Sequence, residues 1–471
     1  MGSIKPDASF STLTRQIIII GVPVILQNMA FYMMTFINSA FLGHYDVTTL
    51  SAMNNAMFPF FMLFTVLIAL SQGTTVLIAH SIGANDKAHA AKIAESSVFY
   101  SQLFSFGYCI FWIFCGRYVL QLMGVSGEIL EKGTTYIQVF SLIFLTGGLN
   151  IAAGAIFQGI GKTSPIMTNT ILRAILNIIL DYCLIFGNFG FPKLGLTGAA
   201  IASVISSTIC SLLLFRSALH NGILPMTING ILKPERGIYK KVFIFGAQAG
   251  MEFVLWTGAQ VIIIRMLNVG DQISTGLYGI LNTIVSLSFN LYIGVGTAAM
   301  TLVGQRVGAH MHSQVSKIGN VCALYGLFFC VIVASVFTLI PQSIVSIFTN
   351  NSDAVSRLTA LMPLVVILCF PKSINVIIGN AIRGTGDVRW MLLTQIAGTI
   401  IIVIIAAIFV LKMKMGLYGV MLANVIDESW RSVINYIKFV ISTRKGKFIN
   451  DKGNAVPPVK KVTQPCVAIE T

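Results

Sequence analysis

The stretch Asn150–Gly161, NIAAGAIFQGIG, returns 225 residues later as Asn375–Gly386, NVIIGNAIRGTG. The same offset aligns LIAHSIGA at 77–84 with LVGQRVGA at 302–309, Gly21 with Gly246, and Asp46 with Asp271. One offset at four separated places means an internal duplication. The chain is therefore two copies of one plan, and the remaining reading asks what each copy is.

Composition answers first. The 471 residues are 55% hydrophobic and 10% charged, with a mean hydropathy of +0.83. That is more apolar surface than a soluble core of this length buries, so the chain is read as an integral membrane protein. About twelve apolar runs long enough to span a bilayer lie near 16–42, 50–80, 93–115, 130–157, 165–187, 195–218, 242–267, 276–305, 317–340, 358–382, 390–411 and 415–442. No large polar segment separates them. The expected fold is all-α: two six-helix lobes at 16–219 and 242–442, a basic linker at 220–241, a short N-terminal segment at 1–15 and a basic tail at 443–471, expected to be disordered. The first run contains Pro23 and continues into NSAFLGHYD, so it is read as a retained span rather than a cleaved signal.

Basic residues set the orientation. Lys5, Arg15, Lys87, Lys92, Lys162, the Arg216–Lys241 cluster and the tail fall on one side, which places both termini in the cytoplasm, with the plasma (inner) membrane as the expected location. Topology and contact with anionic lipid account for the net charge of +15, so nucleic acid is not an expected partner. The eight cysteines form no CxxC pair and, apart from Cys466, sit mostly in apolar runs, so neither a metal site nor a disulfide framework is expected. GIGKTS at 159–164 fails the phosphate-loop spacing because Ile156 stands where glycine is needed. No HExxH or GxSxG pattern occurs, His310 and His312 read as solvated loop residues, and an enzyme with a cofactor is not expected. A monomer is expected.

An even number of spans per copy makes the copies parallel repeats, with a substrate path between them and rocking of one lobe against the other. In the first copy, Asn169, Arg173, Asn177 and Asp181 recur every four residues through NTILRAILNIILDY, which places them on one helical stripe. The stripe is a solvated face or the wall of a cavity. A carboxylate in an apolar span costs several kcal/mol unless it meets a cavity, a cation or a proton. With Pro165 in the first turn, Asp181 lies roughly 24 Å further along the helix axis. Asn177, one turn earlier, can bond either form of the acid. By the 225-residue offset Arg173, Asn177 and Asp181 correspond to Gly398, Ile402 and Ala406, so the shared fold does not demand them.

In the second copy Glu252 and Lys372 correspond to Gln27 and Gly147, so these charges also belong to one copy only. An ion pair between them is expected, and its plainer reading is a buried structural pair that holds the lobe together. Gln27, Asn28, Arg173, Glu252 and Lys372 are candidates to line the path. Asn54 and Asn55 are read mainly as helix packing, and Asp427, Glu428 and Arg431 as neighbours that pair or reach the membrane edge.

The strings FINSAFLGHYD, GTTVLIAHSIGAND, GAIFQGIGKTSP, LNIILDYCLIFG, FPKLGLTGAAIASVIS, NAIRGTGD and DESWR, in order across both copies, resemble the multidrug and toxic compound extrusion (MATE) family. The resemblance implies twelve helices around a V-shaped central cavity and export of organic, often cationic, molecules against an inward proton or sodium flow. In one branch an Asn and an Asp at four-residue spacing belong to a cation-responsive network, which Asn177 and Asp181 match. A first-helix Asp usually completes it, where this chain has Asn38. The other branch places sodium-binding carboxylates on the seventh and tenth helices, and Lys372 stands at the tenth-helix position. Protons are therefore the expected driving ion and sodium the less expected one, with Asp181 acting as a negative site for which proton and cationic substrate compete. A lipid-linked saccharide flippase of the same superfamily and a non-transporting receptor or assembly protein are the alternatives.

Overall fold

The structure is a computed structural model that describes residues 10–270, 272–446, 448–449 and 455–456. Twelve long helices make the fold. In the first lobe they are α1 (Phe10–Tyr45), α2 (Val47–Gly83), α3 (Lys87–Leu122), α4 (Gly127–Ile160), α5 (Ser164–Phe186) and α6 (Gly195–Leu219). The second lobe has α7 (Arg236–Gly270), α8 (Gln272–Gly308), α9 (His312–Leu339), α10 (Ser352–Gly384), α11 (Val388–Lys412) and α12 (Gly416–Lys445). Eleven of the twelve are apolar enough along their length to cross a membrane. The exception is α12, whose middle carries Asp427, Glu428 and Arg431. Helices are the form such a chain must take, because in lipid each backbone N–H and C=O has to find its partner within the segment.

The helices run past the apolar stretches at their polar ends. α3 starts at Lys87, where Asp86 accepts from the His89 N–H and caps the first turn. Gly161 ends α4 in the left-handed region at φ 86°, and Gly386, its equivalent in the repeat, closes α10 at φ 92°. α7 begins at Arg236, six residues inside the stretch read as linker, because its first charged turns lie beyond the apolar run. His310 is exposed, but His312 is half-buried in the first turn of α9 rather than a solvated loop residue. The tail differs at its start: 443–445 complete α12, and Phe448–Ile449 pairs antiparallel with Ala455–Val456. Apart from Gly446, which caps α12, the rest of the tail lies outside the described residues, as do Asp271 and residues 1–9.

What remains of the linker lies along α3. Glu95, 9% exposed, accepts from the Thr227 backbone N–H at 2.7 Å and its hydroxyl at 3.2 Å, and just beyond the linker Tyr239, in the first turn of α7, stacks on Tyr100 at 4.1 Å between centroids.

The lobes meet through paired contacts where α2, α4, α8 and α10 end. His80 on α2 donates through Nε2 to the Gly384 carbonyl on α10 at 2.7 Å. Gln305 on α8 donates to the carbonyls of Gly159 and Ile160 on α4 at 3.2 and 3.0 Å. His80 and Gln305 are equivalent in the repeat, as are Gly384 and Gly159, so the two contacts are the same contact made once from each lobe. Gly83 and Gly308, also equivalent, allow the approach: a Cβ on Gly83 would collide with the Gln305 carbonyl, and one on Gly308 with that of His80. The motif LIAHSIGA/LVGQRVGA is thus an interface between lobes.

Candidate functional site

A cavity of about 690 Å³ opens into the first lobe between α1, α2, α4, α5 and α6, a size that holds a drug-sized molecule. One wall is aromatic: Phe31 meets Phe61 edge-on at 6.5 Å, and Phe60 packs between Phe140 and Phe144 at 5.0 and 5.1 Å. The other is polar, with the carboxamides of Gln27, Asn28, Asn38 and Asn177, the Ser203 hydroxyl and the Arg173 guanidinium.

The stripe on α5 has the geometry of a cavity wall. Asn169, Asn177 and Asp181 are 9%, 1% and 0% exposed, whereas Ile175 and Ile179 on the opposite face are 51% and 54% exposed, as a lipid-facing surface would be. The stripe residues are not equivalent, however. Arg173 and Asn177 line the cavity, while Asp181 lies sealed behind it among side chains, with Oδ1 unpartnered. Direct competition of substrate and proton for that carboxylate is therefore not what this arrangement offers.

Asp181 instead reaches the cavity through amides. In one orientation Asn38 donates Nδ2 to Asn177 Oδ1 at 2.9 Å, and Asn177 donates Nδ2 to Ser203 Oγ at 3.4 Å. Turned over, the Asn38 amide donates to Asp181 Oδ2 at 2.6 Å and to the Met34 carbonyl at 3.1 Å, and presents its oxygen to the Asn177 carboxamide. The first orientation sets the Asn38 oxygen against the carboxyl, which requires a proton on Asp181; the second satisfies an ionised carboxylate. The amides of Asn38 and Asn177 thus connect the buried acid to the Ser203 hydroxyl on the cavity wall. Ser203 was not singled out from sequence, because its partner lies 26 residues away on the neighbouring helix.

The second lobe handles its charges differently. The expected Glu252–Lys372 pair does not form. Glu252 meets Arg383 Nη2 at 2.5 Å, and Lys372 lies 3.9 Å from Glu428 and over the Phe289 ring at 5.5 Å. Arg431 bonds Asp427 at 2.7 Å and Gln395 at 2.6 Å and approaches Glu428 to 3.6 Å. Asn375 donates to Glu428 at 2.7 Å, and Asn435 in turn donates to Asn375 at 2.8 Å. Asp427, Glu428 and Arg431 are all buried, so they pair rather than reach an edge. Neither Glu252 nor Lys372 borders the first-lobe cavity. The sequence signal that could have found this network is the four-residue spacing of Asp427, Arg431 and Asn435 on α12.

A buried pair of this kind is costly to break from one side. Arg383→Met should destabilise the protein by about 3–5 kcal/mol by stranding Glu252, and Glu252→Gln combined with it should recover most of that loss. Thermal unfolding of the detergent-solubilised single and double variants checks this; an additive double variant would contradict it.

The family model described as MatE matches the chain twice, over residues 23–183 and 249–409. The chain belongs to the MatE family. Its two matches fall one in each lobe, and the lobes of this MatE protein are the repeat read from the 225-residue offset. Among curated relatives, a probable multidrug resistance protein NorM of Thermotoga maritima is 27% identical, over 92% of this chain and 94% of that one. An uncharacterized transporter YisQ of Bacillus subtilis is 24% identical over 78% and 81%. Among solved structures, the outward-facing conformation of a multidrug resistance MATE family transporter of the MOP superfamily aligns with a TM-score of 0.85 at 20% identity, covering 92% of this chain and 96% of that one. A MATE crystal structure in the straight conformation aligns at 0.84, with the same identity and coverage. These likenesses establish the fold, a two-lobed multi-pass membrane architecture, for this MatE chain.

Proposed function

We propose that this protein is a secondary active antiporter that exports organic compounds in exchange for protons, by alternating access between lobes 16–219 and 242–442 joined by the 220–241 segment. The observation that carries the reading is the chain Asp181–Asn38–Asn177–Ser203, which links a buried acid to the wall of a drug-sized cavity. Protonation of Asp181 reverses the donors along that chain and so alters what the wall offers a bound molecule. Proton and substrate are then coupled through the lobe rather than by sharing one site. Multidrug resistance relatives support the substrate class in outline. With both termini in the cytoplasm of a plasma membrane, the sealed Gly83/Gly308 end faces inward and the cavity faces outward.

Sodium coupling is disfavoured by the second lobe, whose buried carboxylates already hold Arg383, Arg431 and Lys372. The flippase reading asks for several basic residues in the path, and among the described residues lining this cavity Arg173 is the only one.

Purified monomeric protein in liposomes tests the proposal. A pH gradient alone should sustain substrate movement and a sodium gradient alone should not. Movement that required sodium and ignored pH would refute the choice of ion, and preferential movement of a lipid-linked oligosaccharide would favour the flippase.

A further inference from the structure

In the second lobe Arg383, Arg431 and Lys372 lie against carboxylates, and the buried Arg306 donates to the Gln314 and Gln16 side chains. The first lobe leaves one cation alone. Arg173 is half-buried in the cavity wall, and no hydrogen-bond or salt-bridge partner for any of its nitrogens is found among the described residues; its Nε is fully enclosed without one. Its guanidinium carbon lies 5.8 Å from the centroid of the Phe31 ring. Asp181, two turns along the same helix, is roughly 12 Å away along the axis and sealed behind the wall, so it does not neutralise the cavity face.

Arginine stays charged in any protein environment, so this cation cannot escape by losing its proton. Its neighbours on the polar wall are uncharged amides and hydroxyls, and no carboxylate appears among the described lining residues. In the repeat Arg173 corresponds to Gly398, where the space is filled by the Asp427–Arg431 pair: a Cβ there would lie 2.9 Å from both Asp427 Oδ1 and Arg431 Cδ. At the same place in the fold, then, one lobe builds a neutral pair and the other an unpaired cation facing a cavity.

We infer that the cavity takes organic anions: an aromatic body against the Phe31 and Phe61 wall, with a carboxylate or sulfonate engaging the Arg173 guanidinium. This deepens the transport reading and rests on its assignment of the cavity to substrate. Two oxygens of either group can accept parallel N–H bonds from the guanidinium, one of whose faces Phe31 supports. The substrate then supplies the counter-charge that the protein omits, and the expectation of cationic cargo is reversed for this chain.

Three probes sharing one ring system test it: naphthalene-2-carboxylate, 2-naphthamide and 2-naphthylmethylammonium, with binding to the purified full-length protein in nanodiscs measured by calorimetry. Wild type should bind the carboxylate roughly ten- to a hundredfold more tightly than the amide, and the ammonium more weakly than either. Arg173→Gln should bring the carboxylate to the level of the amide, and Arg173→Lys should keep part of the preference. The wild-type ranking needs no variant, so poor folding of Arg173→Gln would not shelter the proposal. Equal or tighter binding of the ammonium, or an unchanged carboxylate preference in Arg173→Gln, would overturn it. Because binding needs no gradient, a protein that binds the carboxylate yet moves nothing in liposomes would refute the transport reading and leave the anion site standing.

Discussion

Asp181→Asn should leave a protein that folds, inserts and still binds its substrate, yet has lost proton-driven export. The carboxamide fits the same space and can bond Asn38 in either orientation, but it neither gains nor loses a proton, so the chain to Ser203 no longer responds to pH. Substrate binding survives because Asp181 is 0% exposed and does not border the cavity. Coupling free energies between sites correspond to roughly 5- to 150-fold, and export should fall within that range. The wild-type rate should vary with external pH and the variant's should not. Ser203→Ala cuts the far end of the same chain and should give a smaller loss in the same direction. Initial rates in proteoliposomes at several external pH values, alongside equilibrium binding, provide the check.

Valine at Gly83 or Gly308 should be equally damaging for a different reason. The two glycines lie where α2 and α8 cross, and a side chain on either would enter the other helix's backbone. The lobes could then not close at that end, and the paired bonds His80 to Gly384 and Gln305 to Gly159 would be lost together. Each lobe has its own buried core, around Phe60, Trp112 and Phe144 in one and Tyr278, Ile284 and Met421 in the other, so the variants should still fold. Removing one side of the seal, as in Gln305→Ala, costs about 0.5–1.5 kcal/mol for each of its two bonds and should slow transport less than the valine variants do. Distances between spin labels placed at the ends of α2 and α8 should widen in Gly83→Val. Unchanged distances and rates would show that the seal is not part of the cycle.

Much of this was legible in the sequence because duplication forces equivalent residues into equivalent geometry. Gly83 and Gly308, Gly159 and Gly384, and Gly161 and Gly386 serve matched approaches or turns, and a 225-residue offset exposes them without coordinates. The α5 stripe was legible from its four-residue spacing, since helical periodicity alone puts Asn177 and Asp181 on one face. Which stripe residues reach the cavity was not, because depth depends on where α1 and α6 cross α5. The Glu252 partner failed for a related reason. Lys372 and Arg383 stand 11 residues, about three turns, apart on one helix, so periodicity puts both on the same side and only the crossing with α7 selects Arg383. Arg173 was visible as a charge, but its lack of a counter-ion is a property of five helices packed together.

Proton movement caused by substrate tests the central claim most directly. Proteoliposomes holding a pH-sensitive dye and an imposed pH gradient, acidic outside, receive naphthalene-2-carboxylate inside, and the lumenal pH is followed with and without it. The account predicts that the loaded anion accelerates proton entry in wild type, that Asp181→Asn abolishes the acceleration while retaining binding, and that sodium does not substitute. Substrate-stimulated proton entry that persists undiminished in Asp181→Asn would contradict the assignment of coupling to the buried acid and its amide chain.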